Sequence, residues 1–184
     1  MKYKKLYVAA TGQHVGKTTS TLGLVYALRK IGHDVGYCKP VGQEFVDLGT
    51  LKADKDALLF SNFMDFQLDA SIHSPVILGR GATSAYLDDP KDFDYDKDIM
   101  HATSILENNH ETVVYEGTGH PGVGSVVNLS NADVAKMLDA KVIMVVKGGI
   151  GNTIDKLQMA LSVFREKNVP VVGVIVNKGF VSKS

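Results

Sequence analysis

Short apolar, β-branched runs alternate with amphipathic helical stretches along nearly the whole chain, and that alternation restricts the available folds more than any other feature. Runs at residues 6–10, 35–39, 112–116, 142–146 and 171–176 predict strands. Several are continuously apolar, as expected of strands covered on both faces. Helices are predicted over 17–31, 55–62, 96–108, 131–138 and 153–167. In the last of these, Ile154, Leu157, Leu161 and Phe164 recur at three- and four-residue steps and predict one core stripe. Strand–helix–strand repetition implies right-handed crossovers and a mostly parallel sheet. The expected fold class is therefore α/β, with a mostly parallel central sheet flanked by helices in three layers.

At 184 residues the chain has the size of one domain, and no repeat, low-complexity tract or linker divides 1–184. The least regular stretch, 66–95, reads equally well as a solvated connection or as a substrate-facing insertion. Twenty Lys and Arg balance twenty Asp and Glu. That balance argues against a nucleic-acid or anionic-membrane surface built on bulk charge. Trp is absent, which argues against an aromatic stacking platform for single strands. The N-terminal residues carry no signal-peptide pattern, and no window approaches the roughly 20 apolar residues of a membrane span. A single cysteine, Cys38, fits a reducing compartment. A cytoplasmic domain acting on a small-molecule substrate, with neither nucleic acid nor membrane as partner, is expected.

The first predicted strand runs into Ala10-Thr11-Gly12-Gln13-His14-Val15-Gly16-Lys17-Thr18-Thr19 and then into a helix. A phosphate needs inward-pointing backbone N–H donors, close backbone approach and a cation that follows the charge. Gly16 permits the approach, and a helix starting near Lys17 turns its positive end toward the anion. Lys17 can reach the β- and γ-phosphates, and the Thr18 hydroxyl suits Mg²⁺. Thr11 stands where the strict G-x-x-x-x-G-K-[ST] pattern has its first Gly, with Gly12 one place later. The strand–loop–helix setting nonetheless identifies residues 11–19 as a phosphate-binding loop, and the fold as of the P-loop NTPase kind.

Other candidates stand at the carboxyl ends of predicted strands, where open α/β sheets gather ligands. Lys39, in Lys39-Pro40-Val41-Gly42, reads as a second phosphate cation or as a surface lysine at a strand end. Glu116 closes the third strand before Gly117-Thr118-Gly119-His120 and is placed to act on Mg²⁺, with the glycines allowing close backbone approach. The alternative is a buried acid satisfied by loop amides. His120 is a candidate base or a solvent-facing loop residue. In Asp54-Lys55-Asp56-Ala57 the acids either cap a helix or add a second carboxylate to the metal. Asn177, ending the last strand, has the donors and acceptor to read a purine edge, although Asn is also a common turn residue. Cys38 reads as a small buried apolar residue.

Taken together, these motifs resemble the dethiobiotin synthetase and cobyrinic acid a,c-diamide synthase group of P-loop ATPases. The resemblance rests on Thr11-x-x-x-Val15-Gly16-Lys17-Thr18, Lys39-Pro40-Val41, Asp56-Ala57, Glu116-Gly117-x-Gly119 and Val176-Asn177, in that order over nearly the whole chain. The stretch from Glu116 to Ser125, followed by Leu129-Ser130-Asn131-Ala132, is similar to a branch of dethiobiotin-synthetase-like proteins that includes N-terminal domains of long phosphate acetyltransferases. The resemblance implies that Lys17 and Lys39 stabilise the phosphates of ATP, that Thr18, Asp56 and Glu116 bind Mg²⁺, and that Asn177 contacts adenine. Gly117, Thr118 and Gly119 would face the substrate. It implies an ATP-dependent ligase that activates a carboxylate or carbamate by phosphoryl transfer, or else a nucleotide-sensing regulatory module without turnover. A homodimer is compatible with it.

Two departures fall where substrate and γ-phosphate would meet. Ala10-Thr11-Gly12-Gln13 replaces the Gly-Thr-Asp-Thr of dethiobiotin synthetases, and Gly117-Thr118-Gly119-His120 replaces Gly-Ala-Gly-Gly. Nucleotide binding therefore carries over more firmly than the named reaction. Residue 12 is Gly rather than the Lys that marks the partitioning and cell-division-site ATPases. Resembling proteins continue past the Asn of the last strand with another strand and helix, whereas only residues 178–184 follow Asn177. That predicts a shortened domain with a more open adenine side and weaker nucleotide affinity.

Overall fold

The computed structural model describes residues 2–47, 49 and 52–179. Its main sheet has five strands: β1 (Lys5–Ala10), β2 (Val35–Cys38), β7 (Thr112–Glu116), β8 (Lys141–Lys147) and β9 (Val171–Asn177). Their order is β2-β7-β1-β8-β9, and every pairing is parallel. Side chains alternate across a strand, so an all-apolar run feeds two cores at once. In β1, Tyr7 and Ala9 enter one core while Leu6, Val8 and Ala10 enter the other. In β7, Val113 and Tyr115 face the first and Val114 the second.

Helices α1 (Lys17–Lys30) and α2 (Lys55–Met64) cover one face through Val25, Leu28, Ala57, Phe60 and Met64. Helices α5 (Tyr95–Asn109), α6 (Asn131–Met137) and α7 (Gly151–Glu166) cover the other, with Ile99, Leu106, Val134, Ala160 and Phe164. This is the three-layer α/β architecture that the alternation predicts. β1 lies between β7 and β8: the chain leaves it toward β2 on one side and later crosses from β7 to β8 on the other. Its carboxyl end is thus a topological switch point, where such sheets bind ligands.

Two details differ from the sequence reading. Ile154 is 57% exposed, and the stripe of α7 that meets the core is Leu157, Ala160 and Phe164. The three- and four-residue spacing holds, but small Ala160 takes the contact that apolarity alone assigns to bulkier neighbours. β9 is an edge strand whose burial alternates, leaving Val172, Val174 and Val176 exposed on one face among the described residues.

The stretch 66–95, read as a solvated connection or a substrate-facing insertion, carries short elements of its own. It forms α3 (Ala70–His73), β6 (Val76–Ile77), α4 (Ala82–Asp88) and a 3₁₀ turn (Pro90–Asp92). β6 pairs in parallel with β3 (Val41–Gly42), and Ala70, Val76 and Leu78 are buried. Ahead of it, β4 (Phe45–Asp47) and β5 (Lys52–Asp54) form an antiparallel pair. Among the described residues no helix is long and apolar enough to cross a membrane.

Candidate functional site

The chain leaves β1 at Ala10 and turns through His14 and Gly16, both in the left-handed region at φ 57° and 92°, before α1 starts at Lys17. Gly16 occupies the N-cap position without a side-chain cap, and the first turn holds no acid. The amides of that turn are therefore open to an external anion, which the helix dipole favours. A cleft of about 340 Å³ lies over them, lined by the loop (Gly12, Gln13, His14, Gly16, Lys17, Thr18, Thr19) and by Lys39, Asp54 and Asp56. Gln43, Glu44, Lys55, Thr118 and Gly119 complete its wall. None of residues 66–95 lines it.

Beneath the cleft, Glu116 is fully buried at the end of β7. Its Oε1 accepts from Lys17 Nζ and from Thr18 Oγ1, each at 2.8 Å, and its Oε2 accepts from Tyr37 Oη at 3.3 Å. Glu116 is thus satisfied by cations and hydroxyls rather than by loop amides. Tyr37 is itself fixed by stacking on Phe60, with ring centroids 3.7 Å apart. Burial, and then Glu116, push the Tyr37 hydroxyl well above its ordinary pKa, so it remains a neutral donor.

Lys39 is 5% exposed, which removes the surface-lysine reading. Its ammonium pairs with Asp56, lies 3.4 Å from Asp54 and reaches within 4.0 Å of Glu116. Burial pulls the Lys39 pKa down, but the carboxylates of Glu116, Asp54 and Asp56 outweigh it and leave the pKa raised. Asp54 behaves conversely: burial raises its carboxyl, and Lys39 only partly offsets this. Asp54 also accepts from the Asp56 amide at 2.9 Å and so caps α2. The cap thus falls on Asp54, and Asp56 pairs with the Lys39 ammonium.

The segment after Glu116 is held from behind. Asn131 Oδ1 accepts from Tyr7 Oη and from the Thr118 amide, each at 2.9 Å. Its Nδ2 donates to the carbonyls of Thr118 and His120 at 2.8 and 2.7 Å. The Thr118 hydroxyl donates to the Val41 carbonyl. A Cβ on Gly117 would collide with Asn131, so Gly117 serves this close packing, whereas Thr118 and Gly119 face the cleft. His120 is exposed, and with Thr11, Pro121, Gly122 and α7 it borders a separate, largely apolar cavity of about 420 Å³. Thr11 and Val15 lie along a further cavity of about 360 Å³ on the far side of the loop.

Asn177 stands apart from the cleft wall: its Nδ2 donates to the Val15 carbonyl at 2.9 Å. Cys38 is buried, and burial pushes its thiol up. Sequence reasoning missed Tyr37 and Asn131. An aromatic inside an apolar run and a polar residue opening a helix carry no local sign of such contacts. Among the described residues no three His, Cys, Asp or Glu are grouped to hold a metal unaided.

A family model described as an AAA domain (AAA_26) matches residues 4–183. The phosphate acetyltransferase of Acinetobacter baylyi is 30% identical over 160 residues, which cover 84% of this chain and 20% of that protein. The ATP-dependent dethiobiotin synthetase BioD of Clostridium acetobutylicum is 27% identical over 186 residues, 94% of this chain and 74% of that one. The chain thus spans a fifth of the first relative and about three quarters of the second. Among solved structures, the signal recognition particle 54 kDa protein of Aeropyrum pernix in complex with GDP superposes with a TM-score of 0.57 at 18% identity, covering 97% of this chain and 36% of that one. The chimerical protein CapA2B2 gives 0.60 at 13%, covering 96% of this chain and 76% of that one. These structural likenesses are likenesses of fold. The family match over nearly the full length and the phosphate loop at the switch point lead to one conclusion: the chain belongs to the AAA_26 family, in the P-loop group that resembles the dethiobiotin synthetases.

Proposed function

We propose that this chain binds Mg²⁺–ATP in the 340 Å³ cleft and uses it to activate a small carboxylate or carbamate by phosphoryl transfer, as an ATP-dependent ligase. One observation carries the reading. Lys17, Thr18 and Lys39 converge on Glu116 beside an uncapped helix N-terminus, so donors and cations line one side of the cleft. Lys17 would follow the β- and γ-phosphates, and Lys39 would neutralise the charge on the transferred group from the other side. The Thr18 hydroxyl and the carboxylates of Glu116 and Asp56 are hard oxygen donors, which fits a Mg²⁺ that takes the rest of its shell from phosphates and water. When bound, the ion would supply charge neutralisation across the phosphates. Thr118 and Gly119 would border the acceptor.

The acceptor oxygen would attack the γ-phosphorus while its bond to the β-bridging oxygen breaks and ADP leaves. A nitrogen would then displace phosphate from the mixed anhydride. Positioning and charge account for this chemistry. Lys17→Ala should remove most of the ATP affinity in calorimetric titration; unchanged binding would sink the site. Diaminopelargonate and bicarbonate with Mg²⁺–ATP should release ADP above background. The alignment with only a fifth of a phosphate acetyltransferase favours a second reading, a nucleotide-sensing module. Under that reading nucleotide binds and no ADP appears.

A further inference from the structure

β2 and β7 pair in parallel with Tyr37 opposite Val114. Side chains alternate along a strand, so Glu116, two residues beyond Val114, projects on the same face as Tyr37. The Tyr37 hydroxyl donates to Glu116 Oε2 at 3.3 Å, while Lys17 and Thr18, which line the cleft, donate to Oε1. The two carboxylate oxygens are thereby divided, one toward the cleft and one held from within the core. The Tyr37 ring lies flat on Phe60, with centroids 3.7 Å apart and planes 5° from parallel. Phe60 follows Asp56 by four residues on α2, and residues four apart share a helix face. Tyr37, Phe60 and Glu116 are all buried. One side chain therefore bridges the strand that ends in Glu116 and the helix whose first turn carries Asp56.

We infer that Tyr37 is a positioning residue: it fixes the Glu116 carboxylate and its placement relative to Asp56, and so favours Mg²⁺ over larger divalent cations. The inference rests on the Mg²⁺–ATP reading proposed above. Mg²⁺ demands a near-octahedral shell at about 2.1 Å. Ca²⁺ accepts about six to eight oxygens at roughly 2.3–2.6 Å and takes a carboxylate by one oxygen or by both. With Oε2 held by Tyr37, Glu116 has one oxygen to offer a metal. Removing the hydroxyl frees the second oxygen and lets the carboxylate turn, which the larger ion tolerates and the smaller does not.

The test is calorimetric titration of ATP into wild type, Tyr37→Phe and Phe60→Leu, each in EDTA, in Mg²⁺ and in Ca²⁺. The quantity read is the factor by which each metal tightens ATP binding over EDTA. Tyr37→Phe should lower the Mg²⁺ factor by about threefold, a modest change because 3.3 Å is long for an O–H···O bond. The Ca²⁺ factor and the affinity in EDTA should each stay within about twofold of wild type. An equal loss in all three conditions would make Tyr37 a structural residue only and overturn the inference, as would an unchanged Mg²⁺ factor. Should Tyr37→Phe fail to fold, Phe60→Leu, which keeps the hydroxyl and removes the stack, decides the matter by the same comparison. Failure of wild type to bind ATP, or binding that Mg²⁺ does not tighten, would instead remove the Mg²⁺–ATP reading and this inference with it.

Discussion

Around the buried Lys39 ammonium stand the carboxylates of Asp54, Asp56 and Glu116, the last also paired with Lys17, and the balance among them sets both charge and stability there. Removing one partner of a buried ion pair leaves the remaining charge uncompensated, at a cost of about 3 kcal/mol or more. Lys39→Ala should therefore lower stability at pH 7 by about 3 kcal/mol in urea titration. The loss should shrink as pH falls. The Asp54 carboxyl already lies above its ordinary pKa, and without Lys39 only the Asp56 amide opposes its burial, so it rises further. A native state that binds protons more readily than the unfolded chain gains stability as pH falls through that window. Comparing both proteins at pH 7 and pH 5 should show the gap narrowing. In the sequence Lys39 read equally as surface lysine or phosphate cation; only the carboxylates folded around it separate the two.

Helix α6 shows how an element short in sequence anchors the cleft. Ser130 and Asp133 form a capping box at its start, while Asn131 reaches back to Tyr7, Thr118 and His120. Losing a cap costs about 1 kcal/mol, whereas stranding buried backbone groups costs about 1–3 kcal/mol each. Asn131→Ala should therefore destabilise by about 3 kcal/mol and Ser130→Ala by about 1 kcal/mol in chemical denaturation. Equal losses would mean that Asn131 is only a helix-start residue. The long strands and helices were legible because each spans enough residues to display a period. Strands of two residues, such as β3 and β6, and the four-residue α3 are too short to repeat the period that would announce them.

At the scale of the molecule, one sheet separates two apolar layers that draw on alternate residues of the same strands. Phe60 and Phe164, each fully buried, lie on opposite faces. Cutting either to Ala should cost about 3–5 kcal/mol. Because the layers share strands, both variants should shift one common transition, with far-UV dichroism and tyrosine signals coinciding. Trp is absent, so tyrosine is the natural reporter. Separate transitions for the two variants would mean that the layers unfold independently. By itself the sequence determined the α/β alternation, the phosphate loop at the end of β1 and the acids and lysine at neighbouring strand ends, because period and strand-end position are local properties of the chain. Tertiary structure alone decided what those residues touch: Glu116 beneath Lys17 and Thr18, Asn131 against Tyr7, Asn177 on the loop rather than on the cleft wall. These partners lie about a hundred residues or more apart, and only the closed sheet brings them within hydrogen-bonding distance.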